Sequence, residues 1–139
     1  MLRKCALFSL CIFISIVLMV PAVAGSRSSA QNPVPKLIQL DSKGQDYVQV
    51  LGGPPETMTM RSGLITLAPK KSVGKHNTEN YEELVIILEG QAEMIISGGE
   101  TLRLSKGSAA YCPPQKEHDV LNVGSGPLQY IYVVAQAKR

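Results

Sequence analysis

His76-Asn77-Thr78-Glu79-Asn80-Tyr81-Glu82-Glu83-Leu84-Val85-Ile86-Ile87-Leu88-Glu89-Gly90 passes from polar residues into an apolar run and stops at a glycine. A short run rich in Val, Ile and Leu, closed by a turn residue, reads as a buried strand. Working outward, the same unit recurs on both sides. Strands are expected over residues 34–40, 47–51, 63–68, 83–89, 92–97, 100–104, 108–111, 119–122 and 128–135. Between them stand Gly52-Gly53-Pro54-Pro55, Gly90, Gly98-Gly99, Lys106-Gly107, Pro113-Pro114 and Gly124-Ser125-Gly126-Pro127. Glycine supplies the dihedrals of tight turns and proline interrupts strand pairing. No stretch has a long helical stripe, and no internal repeat, phosphate loop or coiled coil is present. Many short strands at close spacing point to a sandwich or barrel.

The N-terminus has a different character. Arg3 and Lys4 precede an apolar run over residues 5–20, and Ala22-Val23-Ala24 is a small-residue cleavage site before Gly25. Residues 1–24 therefore read as a signal peptide, and the expected location is periplasmic or secreted. A retained N-terminal membrane anchor is the alternative, since the run approaches spanning length. Residues 25–33 are mostly small and polar and read as a flexible leader, followed by a single domain over 34–139.

Without the signal, removal of Arg3 and Lys4 leaves 12 basic against 11 acidic residues. That balance gives no basic surface for a nucleic acid, and the mature domain is not expected to embed in a membrane. Cys5 and Cys11 leave with the signal, so Cys112 has no intramolecular disulfide partner; its thiol is either buried and inert or reactive and intermolecular.

Two histidines remain, His76 and His118, with Glu82 and Glu83 a short way beyond the first. Neutral imidazole and carboxylate are suitable ligands for transition metals. Strand alternation sends Glu82 and Glu83 to opposite faces and places His76 and Thr78 on one face. Met58, Met60 and Met94 read as adaptable packing.

In these residues the chain resembles the cupin family. The first family motif is matched by His76, Glu83 and Gly90, with Thr78 where a second histidine is usual and Lys70 where glycine is usual. The second is matched by Gly107, Pro113, His118 and Asn122, with Gln115 in a glycine place. The resemblance implies an all-β, cupin-like double-stranded β-helix, a jelly-roll barrel. It implies His76, Glu83 and His118 as metal ligands, with Thr78 and Asn122 in the pocket or behind the ligands; Tyr111, outside the matched positions, is expected either to line the pocket or to pack in the core. The cofactor would be a divalent transition metal: iron, manganese, nickel, copper or zinc.

Three functions remain open on this reading. One is a metal-dependent enzyme acting on a small oxygenated substrate. Another is a barrel that binds a small molecule without turnover. The third is a structural or oligomerisation module, with a homodimer formed through outward residues of 84–88 and 128–134.

Overall fold

Nine strands form among residues 32–137, the part of the chain that the computed structural model describes. They are β1 (Tyr47–Gly52), β2 (Arg61–Leu67), β3 (His76–Asn77), β4 (Tyr81–Glu89), β5 (Gln91–Ile96), β6 (Thr101–Ser105), β7 (Ala109–Cys112), β8 (Glu117–Asn122) and β9 (Leu128–Gln136). The expected signal peptide, and the leader up to residue 31, lie outside the described residues. Among those described, no helix is long and apolar enough to cross a membrane.

The strands pair antiparallel into two sheets, one of order β1-β2-β9-β4-β7 and one of order β3-β8-β5-β6. Period-2 alternation directs one face of each towards the other. On β4, Glu83, Val85 and Ile87 are buried while Glu82 and Leu84 are exposed. Ala92 and Met94 of β5, Val120 of β8, and Leu128 and Tyr130 of β9 complete the shared core with Leu104, Ala110 and Cys112. The chain leaves β4 for the other sheet at Gly90, whose φ is +86°; a Cβ there would lie 2.6 Å from the Pro127 carbonyl oxygen. Only glycine suits both the dihedral and that close approach.

Two expectations are corrected here. The fold is all-β and double-sheeted, but it is not a closed jelly-roll barrel. Among the described residues, no ladder joins an edge of one sheet to an edge of the other. The edge strands β3 and β7 have only two and four residues, and Lys106-Gly107 and Pro113-Pro114 turn the chain where a continuous ladder would have to run. The result is an open sandwich. The second correction concerns residues 34–40, which form no strand. Val34 and Leu37 are largely exposed, and Pro35 removes a donor from any ladder there. The other eight expected strands form with ends displaced by one or two residues, and β3 is additional.

Candidate metal centre and its cavity

Three strands bring the first ligands together. β3 pairs with β8 so that His76 stands directly opposite His118. Their ring centroids are 4.3 Å apart. Glu83 reaches them from β4, on the facing sheet. Its Oε2 lies 3.3 Å from His118 Nε2 and 3.6 Å from His76 Nε2. One ligand atom from each residue falls within 4.8 Å of the others.

Burial is uneven. His118 is fully buried and Glu83 is 7% exposed, whereas His76 is exposed and forms the solvent side of the group. Burial by itself would raise the Glu83 pKa, but contacts with His118 and His76 outweigh it and bring the carboxyl down to about 2. Reciprocally, Glu83 raises His76, against a smaller opposing effect of burial. An ionised, largely buried carboxylate requires a positive partner, and here two imidazoles face it.

The residues fit a divalent cation. His118 Nε2 is buried and, although 3.3 Å from Glu83 Oε2, makes no aligned hydrogen bond. Buried polar atoms are rarely left in that state. Its other ring nitrogen, Nδ1, is 3.5 Å from the Cys112 sulfur; the tautomer with its proton on Nδ1 leaves the Nε2 lone pair free for a metal. Two donors at about 2.1 Å from one ion can lie at most about 4.2 Å apart. Both carboxylate–imidazole separations already satisfy that bound. A candidate divalent-metal triad of His76, Glu83 and His118 is therefore present.

The other expected residues occupy distinct places. Thr78 lines the cavity beside the triad, but its hydroxyl donates to the Pro113 carbonyl at 2.9 Å and accepts from the Lys116 amide at 3.0 Å. It pins the β7–β8 turn to β3. Asn122 is buried at the other end of β8, where its amide donates to the Leu67 and Gly126 carbonyls. Tyr111 projects from the outer face of the five-stranded sheet, and its hydroxyl donates to Glu82 at 3.1 Å. Cys112 is buried, with its thiol pushed up by burial.

The cavity has a volume of about 410 Å³, suited to a small molecule. Sequence reasoning did not single out Arg61, Tyr47, Tyr130 or Tyr132, all of which line it. The signal was the alternation Leu128-Tyr130-Tyr132-Val134, which places two tyrosines on one strand face.

Residues 63–134 match the family model described as Cupin domain. This chain belongs to the cupin family. Solved structures agree on the fold. An RmlC-like cupin family protein with a double-stranded β-helix fold, from Methanocaldococcus jannaschii, aligns at TM-score 0.61 and 19% identity, over 76% of this cupin and 94% of that chain. A conserved protein of unknown function from Streptococcus pyogenes aligns at 0.59 and 21%, over 81% and 99%. The Cnp3 cupin domain of Schizosaccharomyces pombe aligns at 0.59 and 16%, over 65% of this chain; this cupin spans only 63% of that one. No curated protein matches the chain significantly.

Proposed function

We propose that this cupin is an exported protein that handles a small oxygen-bearing molecule at a divalent metal held by His76, Glu83 and His118. The observation that carries the reading is the buried Nε2 of His118, which lies 3.3 Å from the ionised Glu83 without an aligned hydrogen bond and beside a second imidazole. Two histidines and one carboxylate leave coordination positions for water and substrate. Thr78 takes the place of a further histidine in this scheme; its hydroxyl is already engaged with the β7–β8 turn, which supports a three-ligand set.

A bound cation would supply Lewis-acid polarisation or oxygen activation. The protein's own residues do the rest. Glu83 is held ionised and aimed between the rings, while His118 is fixed on its far side by Cys112 and the core. His76 faces the cavity and marks the side from which a substrate arrives. Export rests on the charged start, apolar run and Ala22-Val23-Ala24, with residue 25 as the expected mature N-terminus in mass spectrometry.

Calorimetric titration of the metal-free protein with iron(II), manganese, nickel, copper and zinc tests the metal reading. Saturable one-to-one binding, weakened when His76 or His118 becomes alanine, is expected. Absence of saturable binding by the folded protein to any of the five would overturn it. A turnover role then requires product formation that disappears with the metal.

A further inference from the structure

The cavity has a second polar group in its lining. Arg61 opens β2 opposite Val134 of β9, and Val134 stands opposite Glu83 of β4. Residues paired across neighbouring strands project from the same face, so Arg61 and Glu83 share the inner face with backbones two strand spacings, about 10 Å, apart. The arginine spans part of that distance. Its guanidinium carbon lies 4.6 Å from the ring centroid of Tyr81, two residues before Glu83. Among the described residues, no carboxylate forms an ion pair with it.

Beside Arg61 the sheet carries a pair of phenols. Tyr47 of β1 and Tyr132 of β9 meet with their hydroxyl oxygens 3.3 Å apart. The intervening strand makes room for them at Gly63, where a Cβ would come within 2.7 Å of each ring. A phenol hydroxyl is protonated at neutral pH and can donate to a ligand; burial, reinforced by the contact with Tyr47, raises the Tyr132 pKa further. A guanidinium without a carboxylate partner and two phenols thus line the same cavity as the metal triad.

We infer that Arg61, with the Tyr47 and Tyr132 hydroxyls, anchors the carboxylate of a small organic acid whose other oxygen atoms face His76, Glu83 and His118. The second half rests on the proposed metal site; capture of the carboxylate by Arg61 does not. The planar guanidinium fork matches a carboxylate through two parallel N–H···O bonds. Among the described residues, Arg61 is the sole lysine or arginine lining the cavity, which also contains Glu79 and Glu83. That charge balance suits a single carboxylate better than a phosphate dianion. The cavity has room for a small organic acid held by the arginine and reaching the triad.

4-Hydroxybutyrate, its uncharged amide and inorganic phosphate are the probes. Each is titrated into the metal-free and the zinc-loaded protein, by calorimetry and by following the Arg61 Nε–H resonance. 4-Hydroxybutyrate is expected to bind the metal-free protein saturably and to shift that resonance, with the amide at least tenfold weaker, as expected for loss of a charge-assisted pair. Arg61→Gln should weaken 4-hydroxybutyrate about tenfold or more, and Tyr132→Phe by a smaller factor. Arg61→Lys retains the charge without the fork and should recover only part of the loss. Equal 4-hydroxybutyrate affinity in the parent and a folded Arg61→Gln variant would overturn the subsite, as would tighter binding of phosphate or of the amide. Full recovery by Arg61→Lys would overturn the two-bond geometry. Failure of metal titration with 4-hydroxybutyrate still bound at Arg61 breaks the metal reading alone; metal binding without 4-hydroxybutyrate binding to the metal-free protein breaks the subsite alone.

Discussion

The two ends of the sandwich interior are built from the same strands and share nothing else. Along β4 the inward positions run Glu83, Val85, Ile87; along β8 they run His118, Val120, Asn122; along β9 they run Leu128, Tyr130, Tyr132, Val134. One end is packed with Val85, Ile87, Met94, Val120 and Leu128, each at most 2% exposed. The other holds an ionised carboxylate, two imidazoles and an open cavity. A step of two residues along a strand is enough to pass from one to the other. The apolar end fixes strand register, and that register places Glu83 opposite the histidine pair without any residue at the site having to specify the fold.

If that division holds, substitutions at the two ends should register in different measurements. The largest loss of stability is expected at the packed end. Met94→Ala should destabilise by about 2–5 kcal/mol in urea denaturation, through lost burial and a residual cavity, while the folded fraction keeps its metal affinity. A fall in affinity matching the fall in stability would break the division.

At the polar end, His118→Ala should weaken zinc binding by at least about a hundredfold, exceeding the tenfold to hundredfold typical of losing a partner behind a metal ligand. The pH dependence follows from the same residues. Glu83 raises His76, so the protonated ring is favoured in the metal-free protein and protons compete with the cation above the ordinary histidine range. Metal affinity should therefore fall as pH falls through that raised value, with proton release on binding at intermediate pH. Calorimetry in buffers of different ionisation enthalpy measures that release; its absence would remove His76 from the ligand set.

Thr78 sits between the two behaviours. Thr78→Val retains the shape but leaves the Lys116 amide without its acceptor, so a stability loss of about 1–2 kcal/mol is expected. The smallest effect belongs to Glu82, on the outer face with Tyr111: Glu82→Gln should leave both stability and metal affinity within experimental error. Metal affinity that responds to Glu82 as strongly as to Glu83 would contradict the alternation on which the site depends.

The triad was legible before the fold was known because His76, Glu83 and His118 match the two cupin motifs; alternation added only that Glu83 and Glu82 face opposite ways. Strand number was similarly readable, because glycine and proline punctuate nearly every turn. Closure was not. Whether an edge finds a partner depends on strand length and on how turns direct the chain between sheets, and β3 is too short to carry a periodic signal. Residues 34–40 misled for the opposite reason, since apolar residues without a ladder partner remain exposed. Tyr111 shows a third limit: its position beside Cys112 gives proximity to the site in sequence, while the pleat turns its ring to the other face. Arg61 and the tyrosine pair escaped notice because they converge from β1, β2 and β9, whose spacing along the chain says nothing of their adjacency.

Because the sandwich is open, the triad has a mechanical meaning as well as a chemical one. Glu83 belongs to the five-stranded sheet and both histidines to the four-stranded sheet. An ion held by all three would tie the two sheets together directly, at the end where only the short turns 78–80 and 113–116 join them among the described residues. Its occupancy would add about 2.7 kcal/mol of folding stability at a hundredfold excess over its dissociation constant. That stiffening would be concentrated at the mouth, where amides of β3 and the first turn of β4 should exchange with solvent more slowly than in the ion-free protein, while those of the packed end change little. The same ligand set would then govern how far the mouth opens and, with it, how readily a small molecule can come and go.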